Sequence, residues 1–113
     1  MNLKTQEQKS VFNFEDYKKL VLKDYYTIFL SRETSILGRR EVLSGKGKFG
    51  IFGDGKELPQ IAMNHFIENG DFRSGYYRDQ TLLMAQGYLT PEDHFAALYA
   101  HPDIKHEPMS AGR

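Results

Sequence analysis

The pattern of hydrophobic and polar positions along the chain predicts four helices. In the first and longest, Asn13 is the predicted cap and apolar residues recur at helical spacing. This pattern continues to about Leu43, and Ser44-Gly45 ends it. The apolar stripe of this helix is Tyr17, Leu20, Val21, Tyr25 and Ile28.

Glycine and proline delimit two helices in the middle of the chain. The second helix is predicted to begin at about Glu57, with Pro59 in its first turn, and to close at Gly70. Its apolar stripe is Leu58, Ile61, Ala62, His65 and Phe66. The third helix is short, covering 80–86, and the side chain predicted to cap it is that of Asp79.

The last helix has the clearest boundary signals. Thr90 is the predicted cap, Pro91 the first helical residue, and Pro102 the stop. The pair Glu92-Asp93 in the first turn is better explained as charge at a helix N-terminus than as a catalytic acid and base. The side chains predicted to face inward are Phe95, Leu98 and Tyr99.

Two segments between the helices have extended character, 49–52 and 72–77. The sequence therefore predicts a mostly α fold with one or two short strands. We expect a flexible N-terminus over 1–11 and a single domain over 12–113, because 113 residues suffice for one modest core.

Composition and charge exclude several classes of function. The chain has 15 basic and 15 acidic side chains, and this balance gives no indication of nucleic-acid binding. Cysteine is absent, which rules out disulfides, thiol catalysis and cysteine zinc sites. No apolar run approaches the roughly 20 residues of a membrane helix, and the first ten residues are too polar for a signal peptide. We therefore expect a cytoplasmic protein without a membrane partner.

Known motifs fail in the glycine-rich segment 45–57. Its first part spells GxGxxG, but a helix precedes it where a dinucleotide fingerprint needs a strand. Its second part resembles a phosphate loop, yet Glu57 follows Lys56 where a magnesium-binding Ser or Thr is required. The histidines show neither HxxxH nor HExxH spacing, so we predict no metal site. His65 lies on an apolar helical face, where a histidine is more often part of a core than a ligand.

The run Tyr76-Tyr77-Arg78-Asp79 is the strongest candidate for chemistry. It lies where an extended segment meets the third helix. A guanidinium and free helix N–H groups would there point toward the same anion. An ordinary surface strand accounts for the same residues, so the pattern alone leaves both interpretations open.

The order and spacing of several short segments resemble a known family. These segments are Arg39-Arg40-Glu41-Val42-Leu43, Gly47-Lys48-Phe49-Gly50-Ile51, Gly53-Asp54-Gly55-Lys56-Glu57, Tyr77-Arg78-Asp79, Leu83-Met84-Ala85 and Ser110-Ala111-Gly112-Arg113. From about Lys23 onward the chain resembles the N-terminal part of the alpha region of the decarboxylating first component of 2-oxoacid dehydrogenase complexes. The branched-chain (2-oxoisovalerate) type is the subgroup it resembles most.

This resemblance implies a partial domain, the N-terminal fragment of an α/β thiamine diphosphate-binding fold. The family's Tyr-Arg dipeptide contributes to the cofactor site, so Tyr77 and Arg78, with Tyr76 beside them, would bind thiamine diphosphate, the arginine at its diphosphate. Magnesium would accompany the cofactor, with its ligands outside this chain. The resemblance assigns no catalytic residue to this chain, so we expect the chain alone to be inactive.

The implied partners are the remainder of the alpha region, the beta region of the same component, and the lipoyl-bearing acyltransferase component, in an oligomeric parent enzyme. One departure is local: the family usually has Gly-Glu-Glu or Gly-Gln-Glu where this chain has Gly55-Lys56-Glu57. The family's magnesium motif, its substrate histidines and its activating glutamate would follow Arg113. The alternative function is a small helical interaction module without a cofactor.

Overall fold

The computed structural model describes residues 13–107, and this part of the chain contains four helices. They are α1 (Phe14–Leu43), α2 (Glu57–Asn64), α3 (Gln80–Ala85) and α4 (Pro91–Leu98). The mostly helical prediction is confirmed. The prediction of one or two short strands is wrong for residues 13–107, because 49–52 and 72–77 run between helices without pairing to another strand. The predicted flexible N-terminus, 1–11, lies outside the described residues.

Local signals determine both ends of α1. The Asn13 side chain accepts a hydrogen bond from the Glu15 amide at 3.0 Å, as expected of an N-cap. At the other end, the Ser44 amide donates to the Arg40 carbonyl, and Gly45 has a φ of 79°. A glycine suits this left-handed conformation, which follows helix ends frequently. The predicted limits of α1 are therefore confirmed.

The helix α2 ends six residues before the predicted Gly70. His65 occupies the C-cap, and the Phe66 amide donates to the Met63 carbonyl at 3.0 Å, which closes the last turn. The His65 imidazole Nε2 lies 2.7 Å from the Asp24 carboxylate of α1. His65 is therefore a partly exposed polar link between α1 and α2, and the prediction of a core histidine is wrong.

The start of α4 follows the sequence signals closely. The Thr90 hydroxyl accepts from the Asp93 amide, and the Asp93 carboxylate accepts from the Thr90 amide, so the two residues form a capping box. Pro91 is the first helical residue. The Thr90 hydrogen bonds lower the pKa of the Asp93 carboxyl. This confirms that Asp93 stabilises the helix N-terminus.

The interface between α1 and α3 is a polar seam. The Ser31 and Thr81 hydroxyls are buried and lie 2.7 Å apart, joined by a hydrogen bond. The buried Gln80 side chain donates from Nε2 to the Ser31 carbonyl at 2.8 Å and to the Ser35 hydroxyl at 3.2 Å. Because buried polar groups are costly unless they are paired, this seam favours one register of α3 against α1.

Much of the apolar surface of the described residues is exposed. Only Ile61, Leu82 and Leu98 are buried large apolar side chains in residues 13–107. The predicted α1 stripe is largely exposed, with Tyr25 at 65% and Val21 at 43% of their full accessibility. Contiguous exposed apolar surface often marks contact with another protein or segment. No helix within residues 13–107 is long and apolar enough to cross a membrane.

Candidate functional site

The run Tyr76-Tyr77-Arg78 forms a turn that leads into α3. The Asp79 amide donates to the Tyr76 carbonyl at 3.0 Å, and the Asp79 carboxylate accepts from the Tyr76 amide at 2.8 Å. The same carboxylate pairs with the Arg73 guanidinium. The prediction that the Asp79 side chain caps α3 is therefore wrong, because its carboxylate closes the preceding turn instead.

The side chains of the run stack on one another at the surface. The Tyr76 and Tyr77 ring centroids are 4.0 Å apart, and the Tyr76 hydroxyl donates to the Tyr77 hydroxyl at 2.7 Å. The hydrogen bond to Tyr77 raises the pKa of the Tyr76 hydroxyl. The Arg78 guanidinium carbon lies 5.5 Å from the Tyr77 ring centroid, within the range of a cation–π contact. The structure thus brings the three predicted residues together.

The backbone of Arg78 is held from the side of α2. The buried Gln60 amide donates from Nε2 to the Arg78 carbonyl at 2.9 Å, while its Oε1 accepts from the Leu82 amide at 2.9 Å. A Cβ placed on Gly53 would lie 2.7 Å from the Arg78 carbonyl oxygen, so a side chain there would displace this turn. The position of Arg78 is therefore fixed although its side chain is exposed.

The Arg78 guanidinium forms no ion pair with an acidic side chain of residues 13–107. Three other arginines do form ion pairs: Arg32 with Glu57, Arg39 with Asp54, and Arg73 with Asp79. The donors of Arg78 are consequently available to an external anion.

The expected contribution of free amides from α3 is not found in full. The Leu82 amide, in the first turn of α3, donates to the Gln60 side chain and is not open to a ligand. This helix is also only six residues long. The electrostatic attraction of an anion to this turn must therefore come mainly from side chains.

Two surface clefts meet at this run. Tyr77 borders an apolar cleft of about 260 Å³, between the 49–52 segment and α4. Arg78 and Tyr76 line a second cleft of about 310 Å³ beside α2. A ligand with a ring at one end and an anionic group at the other has an apolar surface at Tyr77 and a cationic residue, Arg78, next to it in the sequence.

His94 lies in the wall of the apolar cleft. Its ring contacts those of Phe52 and Phe95, at centroid distances of 5.8 Å and 5.7 Å. Burial lowers the pKa of the imidazole and so favours its neutral form. Its Nε2 is buried and has no hydrogen-bond partner within residues 13–107. No group of three or more His, Asp or Glu side chains in this same range is placed to hold a metal ion.

Two residues of this region carried no signal that sequence reasoning identified. Gln60 holds the Arg78 turn through both atoms of its amide, but a glutamine within a helix is unremarkable until its neighbours are known. Lys56 lines the same cleft as Arg78. A lysine after Gly55 departs from the pattern of the resembled family. That departure was the one indication in the sequence that Lys56 has a special role. Comparisons with protein-family models, curated proteins and solved structures found no match to this chain.

Proposed function

We propose that this chain is the N-terminal portion of the alpha region of a thiamine diphosphate-dependent 2-oxoacid dehydrogenase. The parent enzyme, of the branched-chain type, decarboxylates a 2-oxoacid and transfers the acyl group to the lipoyl domain of an acyltransferase component. The chain supplies one wall of the cofactor site, through Tyr76, Tyr77 and Arg78, and is not catalytically complete by itself. Its partners are the rest of the alpha region and the beta region of an oligomeric, cytoplasmic enzyme.

The observation that carries this proposal is the free guanidinium of Arg78 on a fixed turn. Gln60 holds the Arg78 carbonyl, while the side chain has no acidic partner within residues 13–107. A fixed backbone limits the entropy lost when the side chain binds a ligand. The Tyr-Arg dipeptide is also the most specific element of the family resemblance, so geometry and sequence favour the same residue.

The residues present fit a diphosphate. Arginine offers planar, paired N–H donors that match phosphate oxygens. The Asp79 carboxylate, which lines the same cleft as Arg78, is neutralised by Arg73 and so repels an anion less. Tyr77 adds an apolar face with a polar edge, which suits the boundary between a ring system and its charged tail.

Bound thiamine diphosphate supplies the electron sink for decarboxylation of the 2-oxoacid. In this proposal Arg78 binds the diphosphate, Tyr77 packs beside it, and Tyr76 orients the Tyr77 hydroxyl through their hydrogen bond. Gln60 positions the turn through the Arg78 carbonyl. These residues bind and orient the cofactor, and none of them transfers a proton.

The coding sequence downstream of the Arg113 codon tests the assignment. Continuation in frame into Gln-Met and a later Gly-Asp-Gly motif, followed after about 25–30 residues by Asn, is the expected result. A stop codon directly after Arg113 would contradict the proposal. An in-frame sequence without this magnesium motif would contradict it equally.

One observation favours the alternative, a helical interaction module without a cofactor. Several large apolar side chains of α1 are exposed, among them Tyr26 at 65% and Phe29 at 53%. Such a surface serves a protein partner of any function. Thiamine diphosphate binding by the assembled protein decides between the two, because only the enzyme requires it.

A further inference from the structure

The cleft beside α2 contains a second cation besides Arg78. Its volume is about 310 Å³. The residues that line it are Lys56, Pro59, Gln60, Tyr76, Arg78 and Asp79. Lys56 is the residue directly before α2, and its side chain is exposed. Lys56 and Arg78 thus reach one cleft from two different elements of the fold.

The acidic side chains around this cleft are already neutralised. Asp79, the only carboxylate among the lining residues, binds the Arg73 guanidinium and the Tyr76 amide. Next to Lys56 in the sequence, Glu57 is buried and forms two hydrogen bonds with Arg32, at 2.6 Å and 3.0 Å. These contacts leave the charges of Lys56 and Arg78 uncompensated.

The same pattern extends to the preceding turn. The Asp54 carboxylate accepts two hydrogen bonds from the Arg39 guanidinium, at 2.6 Å and 2.7 Å. Contact with Arg39 lowers the pKa of the Asp54 carboxyl, so this carboxylate stays ionised and bound to its own cation. Lys56 forms no ion pair with any acidic side chain of residues 13–107. Lys56 and Arg78 therefore both line this cleft without an ion-pair partner among residues 13–107.

We propose that Lys56 and Arg78 together bind the diphosphate group of a phosphorylated ligand, Lys56 as the second cation of the site. This inference rests on the proposed function, because it takes the anion at Arg78 to be a diphosphate. A diphosphate carries more than one negative charge, and two cations from separate elements complement it better than one arginine. Lysine acts as a point charge on phosphate, whereas arginine binds with two parallel donors.

Lys56 also gives a reason for the departure of this chain from the resembled family. The family usually has a glutamate or glutamine at this place, and neither adds a positive charge. A lysine here raises the charge of the cleft by one unit relative to glutamine.

Titration of inorganic pyrophosphate into the 113-residue chain by calorimetry at low salt tests this inference. We expect Arg78→Gln to weaken binding about 10-fold or more, as for a charge-assisted hydrogen bond. Lys56→Gln is expected to weaken it roughly fivefold, because an exposed ion pair contributes less. Lys18→Gln is the matched control: it removes the same charge from the N-terminal part of α1, outside the cleft, and is expected to leave binding unchanged.

The possible outcomes separate this inference from the proposed function. A loss in Arg78→Gln without a loss in Lys56→Gln would overturn the role of Lys56 and leave the proposed function intact. Equal losses in Lys56→Gln and Lys18→Gln would show a diffuse charge effect and overturn the site. If the unsubstituted chain does not bind pyrophosphate, the two-cation site is refuted, while the thiamine diphosphate titration of the assembled enzyme still decides the function. Circular dichroism of each variant confirms that the fold is retained.

Discussion

The substitution Gly38→Ala is expected to destabilise the protein through a clash with a single ring. Gly38 is buried in α1, and a Cβ at this position would lie 2.4 Å from Cε1 and 3.0 Å from Cζ of Phe52. Gly50 and His94 limit the movement of the Phe52 ring on other sides. A Cβ on Gly50 would lie 2.7 Å from its Cζ, and the His94 ring stands at a centroid distance of 5.8 Å.

Two opposing effects determine the size of the change. Overpacking of a filled site typically costs about 1–3 kcal/mol of the free energy of unfolding. Alanine in the middle of a helix recovers about 1 kcal/mol relative to glycine. The net destabilisation is therefore about 0–2 kcal/mol, and for a domain of this size each kcal/mol lowers the melting temperature by about 4–8 °C.

A double-mutant cycle with Phe52→Leu isolates the clash. Thermal or urea unfolding, followed by circular dichroism, gives the stability of the four proteins. In the Phe52→Leu background the ring is gone, so Gly38→Ala is expected to be neutral or to stabilise by up to about 1 kcal/mol. We expect a coupling energy of about 1–3 kcal/mol. If Gly38→Ala stabilises both backgrounds equally, Phe52 does not pack on Gly38 and the reasoning is refuted.

Three further predictions concern other parts of the molecule. Arg32→Met is expected to lower the free energy of unfolding, measured in urea, because it leaves the buried Glu57 carboxylate without its ion-pair partner. The hydrogen bonds from Arg32 lower the pKa of the Glu57 carboxyl below its ordinary 4.5. The stability that this ion pair adds is therefore present above pH 4.5 and is lost as the pH falls through the folded-state pKa of Glu57. Equal acid sensitivity of the parent and the variant would count against this. Sedimentation at increasing concentration is expected to show that the chain self-associates. The double variant Tyr25→Glu with Phe29→Glu is expected to reduce this association, since both side chains are exposed. A monomer at every concentration would contradict the prediction. The purified chain is expected not to decarboxylate 2-oxoisovalerate with added thiamine diphosphate and magnesium, and measurable turnover would contradict the proposal that it is catalytically incomplete.

The helix boundaries that depend on nearest neighbours were predictable from the sequence. Thr90 and Asp93 form a capping box within four residues, and Pro91 is the first helical residue, so these signals need no tertiary information. The early end of α2 was not predictable, because it accompanies a contact between His65 and Asp24, which are 41 residues apart. The spacing of apolar residues cannot show that the last residue of a helix contacts a polar residue far away in the sequence.

At the candidate site, too, the sequence suggested some features, whereas others depend on contacts between distant residues. Tyr77 and Arg78 were predicted as site residues because their dipeptide is the most specific part of the family resemblance, and their grouping with Tyr76 follows from adjacency. The hydrogen bond from Gln60 to the Arg78 carbonyl joins residues 18 apart and arises only when α2 packs beside the turn. The role of Asp79 was predicted wrongly, because an aspartate before a helix can cap it or can close the turn before it.

The most direct test of the proposed role of Arg78 is the affinity of the assembled enzyme, as proposed above, for thiamine diphosphate. Calorimetry with magnesium present compares the unchanged enzyme with Arg78→Ala and with Arg40→Ala, an exposed arginine outside the cleft. A lost charge-assisted contact of roughly 1.5–3 kcal/mol predicts a 10- to 150-fold weaker dissociation constant for Arg78→Ala. Arg40→Ala is predicted to bind as the parent does. Equal dissociation constants for all three proteins would contradict the claim that Arg78 forms a wall of the cofactor site.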